Sequence, residues 1–278
     1  MIEIKNLDFS YKKLPVFRNI SIDFAPDNIY GLLGENGVGK TTLLKLICGL
    51  QSPKARSCTV NGVAAFPRLP ETLSDIYFIS EDFAIPEKTP LWNFKRLLPF
   101  YPKADIKLFN TLCEEFEVDN RRPFSKMSYG QQKKSLIATA IALRTRILLL
   151  DEPTNGLDIP SKTLFRQIVS RSCNEDTLFI ISTHQVKDVE NLIDPIIILS
   201  NDDVLLKASH REISEKLYFQ TATEQNPDAL YCEPFPGGYV NVCLNPDGLE
   251  SQVNIEALFN ATLHHKDTIK QLFHTQHQ

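Results

Sequence analysis

At 278 residues the chain exceeds the usual length of one domain, which predicts one large domain with a smaller appendage. Charged residues make up 23% and apolar ones 42%, a balance that supports a packed core, and no apolar run approaches the roughly 20 residues of a bilayer-spanning helix. The net charge of -4 gives no global pull toward nucleic acid or an anionic membrane, and six cysteines without C-x-x-C spacing argue against a zinc site or a compact disulfide framework.

Met1-Ile2-Glu3-Ile4-Lys5 places an acid and a base where a secretory signal would carry basic residues before an apolar run, so export is not expected. Ile2 and Ile4, then Ile20, Ile22 and Phe24, alternate as two half-buried strands of an antiparallel edge. Asn28 to Leu33 is a short apolar strand running into Gly34-Glu35-Asn36-Gly37-Val38-Gly39-Lys40-Thr41-Thr42. Beyond it, Leu43, Leu44, Ile47 and Leu50 fall at helical spacing within Thr41 to Leu50. Strand, glycine loop and helix form the context that the phosphate-loop pattern G-x-x-x-x-G-K-[ST] requires.

From Thr89 to Asp119 the pattern becomes helical. Pro90 suits a first helical turn, Leu91, Phe94, Leu97 and Leu98 share a face, and Pro99 and Pro102 end the element before a second helix at Ala104 to Phe116. The α/β pattern resumes in the buried strands Ile147 to Leu150, Thr177 to Ile181 and Pro195 to Leu199, separated by helical stretches. After Ser209 the expectation is a helix at His210 to Leu217, a turn at Pro234, Pro236, Gly237 and Gly238, a strand at Tyr239 to Leu244, and one or two helices within Asn254 to Phe273. The predicted division is a core at 1–208, with a helical subdomain at about 85–140, and an accessory extension at 209–278. His264, His265, His274 and His277 lack carboxylate or cysteine support and read as a solvated tail.

A triphosphate needs many N–H donors and an uncrowded approach. Gly34, Gly37 and Gly39 permit a close backbone wrap, and the following helix aims its N-terminus at the phosphates. Lys40 is placed to reach the β- and γ-phosphates of ATP, and Thr41 to set its hydroxyl on Mg²⁺. Asp151 stands at the C-terminal end of a buried strand, where a carboxylate can serve the metal, and Glu152 beside it is the candidate general base for the attacking water.

Ser128-Tyr129-Gly130-Gln131-Gln132 resembles the signature motif of ATP-binding cassette (ABC) proteins. Asp151-Glu152-Pro153-Thr154-Asn155-Gly156-Leu157-Asp158 resembles that family's Walker B segment and D loop, and Ile181-Ser182-Thr183-His184 its switch-histidine region. The resemblance covers residues 1 to 207 and implies a P-loop NTPase core of ABC type, with an antiparallel β edge, a helical subdomain and a small C-terminal α+β extension. By the same resemblance, Tyr11 stacks on adenine, His184 contacts the γ-phosphate, Asp158 communicates between paired domains, and Ser128, Gly130 and Gln131 meet the nucleotide from a second copy. Two positions depart from the pattern: Glu81 stands where a Q-loop glutamine is usual, a carboxylate that can still meet Mg²⁺ or its water, and Tyr129 replaces the first glycine of the signature.

One phosphate loop and one signature imply that two chains meet, as a homodimer or with a paired ABC ATPase subunit. The resemblance further implies an ATP-hydrolysing subunit that drives a separate membrane subunit, cytoplasmic and peripheral on the inner face of the cell membrane, and more like exporter than importer cassettes. Trp92, Phe94, Phe100 and Tyr101 are candidates for the groove that receives the membrane subunit's coupling helix. The alternative is a soluble ABC ATPase acting on ribosomes or nucleic acid, a class with paired cassettes, long coiled coils or basic linkers. This sequence shows none of them, and no nucleic-acid partner is expected.

Overall fold

The computed structural model describes residues 1–53, 57–85, 87–201 and 203–274. The chain opens with a long antiparallel hairpin, β1 (Ile2–Tyr11) and β2 (Leu14–Phe24), in which buried Ile2, Ile4, Leu7 and Phe9 alternate with exposed residues as a one-sided sheet requires. The hairpin is longer than the alternation predicts because register shifts between Ile4 and Ser10 interrupt the period of two. Then come β3 (Asn28–Leu33), α1 (Lys40–Ile47), β4 (Cys58–Val60), β5 (Val63–Ala64), a single turn α2 (Pro70–Leu73) and β6 (Ile76–Ile79). The sheet order β2-β1-β4-β5 makes the predicted antiparallel edge.

The helical insert follows as α3 (Pro90–Leu97), α4 (Ile106–Glu115) and α5 (Tyr129–Ala142). Thr89 caps α3 by accepting from the Trp92 amide, and Asp105 caps α4 by accepting from the Lys107 and Leu108 amides. Phe94 and Phe109 stack with ring centroids 4.4 Å apart, and both are fully buried. This pair fastens α3 to α4, each ring contributing on the order of 1.5–3 kcal/mol by burial.

The remaining core elements are β7 (Ile147–Asp151), α6 (Ile159–Ser172), β8 (Leu178–Thr183), β9 (Ile196–Ser200) and β10 (Asp203–Ala208). They complete a six-stranded sheet ordered β10-β9-β3-β8-β7-β6, parallel except for the antiparallel edge strand β10. Every residue of β7, β8 and β9 is buried, as expected of parallel strands covered on both faces. The C-terminal ends of β3, β7 and β8 lie side by side, with Leu33 registered against Thr183 and Asp151 against Ser182. That edge is where the chemistry collects.

The C-terminal segment is α+β: α7 (His210–Lys216), β11 (Leu217–Ala222), β12 (Tyr231–Phe235), β13 (Gly238–Leu244), α8 (Ile255–His264) and α9 (Lys266–His274), with strand order β11-β13-β12. Pro234 lies inside edge strand β12, where a missing N–H is tolerated, so the turn predicted around it contracts to Pro236-Gly237. Leu217 opens β11 instead of closing the preceding helix. His264 and His265 are not on a free tail: His264 closes α8 and its ring lies 5.3 Å from that of Tyr231, while α9 packs on β10 through buried Ile269. His274 ends α9, and His277 lies outside the described residues. One apolar cluster runs from Leu33, Leu148 and Phe165 through Leu206 to Leu217, Val242, Leu258 and Ile269.

Candidate functional site

The glycine loop joins β3 to α1, and its glycines answer two different demands. Gly37 has φ 86°, and a Cβ there would meet nothing within 4 Å, so this backbone is open to an approaching ligand. A Cβ on Gly34 would stand 2.7 Å from Val38 Cγ2, and one on Gly39 2.7 Å from Phe17 Cζ, so these two glycines serve the chain's own packing. Buried Lys40 donates from Nζ to Gly34 O (2.7 Å) and Glu35 O (3.1 Å), stitching the loop into a ring. Burial holds its ammonium below the ordinary lysine range, opposed by Glu152, Asp151 and Glu81.

Thr41, on the first turn of α1, donates from Oγ1 to Asp151 Oδ2 at 2.7 Å, and Ser182 donates to the other oxygen of Asp151. A hydroxyl and a buried carboxylate thus converge beside the phosphate loop, an all-oxygen set that fits Mg²⁺. Glu152 follows with its backbone in the left-handed region at φ 46°, which turns its carboxylate toward β8. There the His184 amide donates to Oε1 (2.9 Å), His184 Nδ1 lies 2.7 Å from the same oxygen, and Thr183 donates to Oε2 (2.9 Å). These three contacts define one rotamer for a carboxylate that is 4% exposed.

Lys40, Thr41, Asp151, Glu152 and His184 therefore form one cluster. Tyr11 ends β1 with its hydroxyl 3.5 Å from Thr42 Oγ1, half-exposed beside the loop. Glu81 Oε1 accepts from Asn155 Nδ2 at 2.9 Å, and its charge acts on Lys40 together with those of Glu152 and Asp151. Ser128 caps α5 in a reciprocal box with Gln131: Ser128 Oγ accepts from the Gln131 amide, and the Gln131 side chain accepts from the Ser128 amide. A Cβ on Gly130 would stand 3.1 Å from Gly156 O, a tight approach between the signature helix and the loop after β7. Asp158 caps α6 by accepting from the Ser161 amide at 2.9 Å.

Three participants have roles that escape sequence reading. Thr183 and Ser182 orient the two carboxylates, and buried Lys133 donates to Glu152 O at 2.6 Å. Tyr129 stacks on Phe83 at 5.5 Å and covers Gly156, where a Cβ would meet its ring at 2.5 Å. The four insert aromatics divide. Phe94 is core, Tyr101 is half-buried and donates to Ile76 O (3.4 Å), while Trp92 and Phe100 are exposed, with the Arg96 guanidinium 4.7 Å over the Trp92 ring.

The family model described as ABC transporter matches residues 17–155. The ABC transporter ATP-binding protein YtrB of Bacillus subtilis is 26% identical, over 78% of this chain and 74% of the relative. An ABC transporter ATP-binding protein of the same organism, YybJ, is 33% identical over 79% of this chain and 99% of the relative. Among solved structures, a dimeric post-hydrolysis state of the ATP-binding cassette MJ0796 bound to ADP and Pi aligns with TM-score 0.68 and 22% identity, covering 75% of this chain and 98% of that one, which establishes a shared fold. Motif order, site geometry and these likenesses converge: the chain belongs to the ABC transporter family as an ATP-binding, ATP-hydrolysing subunit.

Proposed function

We propose that this ATPase works as a pair of cassettes, homodimeric or with a related subunit, and drives a separate membrane subunit in the direction of export. The observation that carries the catalytic reading is the fixed carboxylate of Glu152, held by Thr183 and His184 beside the Thr41–Asp151 pair. In this reading Tyr11 packs against adenine, residues 34–42 wrap the phosphates, and Lys40 turns from its carbonyl partners to the β- and γ-oxygens. Thr41 and Asp151 would hold Mg²⁺, which when bound would neutralise phosphate charge. Glu81, bonded to Asn155, adds a further carboxylate whose charge acts on Lys40, and by family resemblance it would meet the ion or its water.

Glu152 takes a proton from the water whose oxygen attacks the γ-phosphorus, the bond to the ADP oxygen breaks, and His184 keeps the carboxylate oriented. Pairing follows from the single loop and single signature helix per chain: Ser128, Gly130 and Gln131 at the N-terminus of α5 face the nucleotide of the second copy. Asp158, capping α6 on the exposed D loop, lies on the face offered to that copy. Exposed Trp92 and Phe100 are the aromatics available to a membrane subunit. Among the described residues no helix is long and apolar enough to cross a membrane; the place on the inner membrane face beside a separate membrane subunit rests on family analogy. Glu81 and the small C-terminal segment support export by family analogy.

Glu152→Gln tests the core of this reading. The variant is expected to bind ATP, to elute at twice the monomer mass with ATP present, and to hydrolyse it about 100-fold or more slower. Turnover equal to the parent chain overturns the assignment.

A further inference from the structure

Lys133 is completely buried on α5, immediately after the signature residues Ser128 to Gln132, and its charge meets a carbonyl: Nζ donates to Glu152 O at 2.6 Å. Such a position is costly for an ammonium, and burial pulls this one below the ordinary lysine range against the opposing pull of nearby carboxylates, Glu81 first. The carbonyl it holds belongs to the residue with φ 46°, a left-handed backbone that a glutamate adopts only under constraint. The Asn155 amide also donates to that carbonyl, at 3.3 Å, which is long. A charge-assisted bond at 2.6 Å is the stronger restraint.

The surroundings protect this bond. The Tyr129 ring lies 5.9 Å from Lys133 Nζ, stacked on Phe83 on one side and seated over Gly156 of the D loop on the other. Glu81 and Asn155 tie the neighbouring loops together at 2.9 Å. The two departures from the family pattern, Tyr129 and Glu81, thus act in one assembly. Phe83 and Gly156 hold the Tyr129 ring beside the lysine, and Glu81–Asn155 ties the flanking loops.

We infer that Lys133 is a positioning residue for hydrolysis: it clamps the Glu152 carbonyl to the signature helix, fixes the left-handed backbone that aims the carboxylate, and is sealed from water by Tyr129. The signature helix of a chain would thereby set the alignment of that chain's own general base, in addition to facing the nucleotide of its partner. The inference rests on the assignment of Glu152 as base, which Glu152→Gln tests by itself.

The experiment compares full-length parent, Lys133→Met, Glu152→Gln and the double variant by steady-state and single-turnover ATP hydrolysis, with ATP binding and thermal melting measured alongside. Methionine keeps most of the length of the side chain and removes the charge. The expected result is a fall in kcat of about 10- to 100-fold with KM and ATP affinity within about twofold, the pattern of a misaimed group in an intact binding site. In the Glu152→Gln background the same change is expected to cost less than about twofold, because the two residues act through one carboxylate. An unchanged kcat, a loss shared equally between kcat and ATP affinity, or a full multiplicative loss in the double variant overturns the inference. If the methionine variant does not fold, Lys133→Leu, which likewise removes the charge and the donor, takes its place, and the same ratios support or overturn the inference. A fall in Lys133→Met with unchanged turnover in Glu152→Gln defeats the base assignment, whereas the reverse defeats only the role of Lys133.

Discussion

Asn155 donates to Glu81 at 2.9 Å, so the loop after β6 and the loop after β7 are joined by a neutral donor and a charged acceptor. Glu81→Gln can keep this bond through its amide oxygen while removing one negative charge from the neighbourhood of Lys40 and the phosphates. ATP affinity is expected to rise about two- to fivefold, the size of an exposed charge interaction. Nucleotide titration at low and high salt checks it: the gain should shrink as salt screens the site.

Thr41 and Asp151 make the only hydroxyl–carboxylate pair between α1 and β7 among the described residues. Thr41→Val keeps the shape and removes the hydroxyl, leaving Asp151 with Ser182. Hydrolysis is expected to fall by at least about 10-fold and the Mg²⁺ requirement to move to higher concentration, with Thr41→Ser close to the parent. Magnesium titration of activity, with chelation by EDTA abolishing hydrolysis, measures both. The stability cost stays near about 1–3 kcal/mol, the range for one buried hydrogen-bonding group losing a partner.

The insert aromatics separate by burial into two outcomes. Phe94→Ala removes a fully buried ring from the stack with Phe109 and is expected to destabilise the chain by about 3–5 kcal/mol. Trp92→Ala removes a ring that is 43% exposed and should leave basal hydrolysis within about twofold while abolishing transport by the assembled complex. Chemical denaturation of one and reconstituted transport by the other decide the matter. Loss of ATPase and transport together in Trp92→Ala would assign that ring to the core.

Asp105 caps α4, and the Leu108 amide leads the contacts that hold its carboxyl below the ordinary aspartate range. A depressed folded-state value means the contribution is fully present above the ordinary pKa and is lost as pH falls through the lower folded value. Asp105→Ala is therefore expected to lower the urea midpoint at neutral pH and to converge on the parent chain in acid. A difference that persisted unchanged down to about pH 2 would show that the cap's charge plays no part.

Local motifs carried most of the site. The clustering of the glycine loop with Asp151, Glu152 and His184 is legible because the loop and the two strand ends each lie within a few consecutive residues. Lys133 is not, since its partner lies across a helix-to-loop contact, and nothing in a run of basic residues marks which one is buried. The capping box at Ser128 and Gln131 is legible as a pattern, yet its geometry engages side chains that sequence likeness assigns to the nucleotide. In the fold, the continuous apolar strands of the central sheet are recognisable, whereas β12 is obscured by Pro234, whose tolerance depends on an edge position that only the topology reveals. Phe94 and Trp92 are separable in principle, because Phe94 shares the helical face of Leu91, Leu97 and Leu98 and Trp92 does not.

One apolar cluster runs without a break from Leu148 and Phe165 to Val242, Leu258 and Ile269, so the C-terminal segment shares its buried surface with the central sheet. A substitution in α8 or α9 can therefore lower the fraction of working ATPase without touching the nucleotide, through melting of the whole rather than loss of a part.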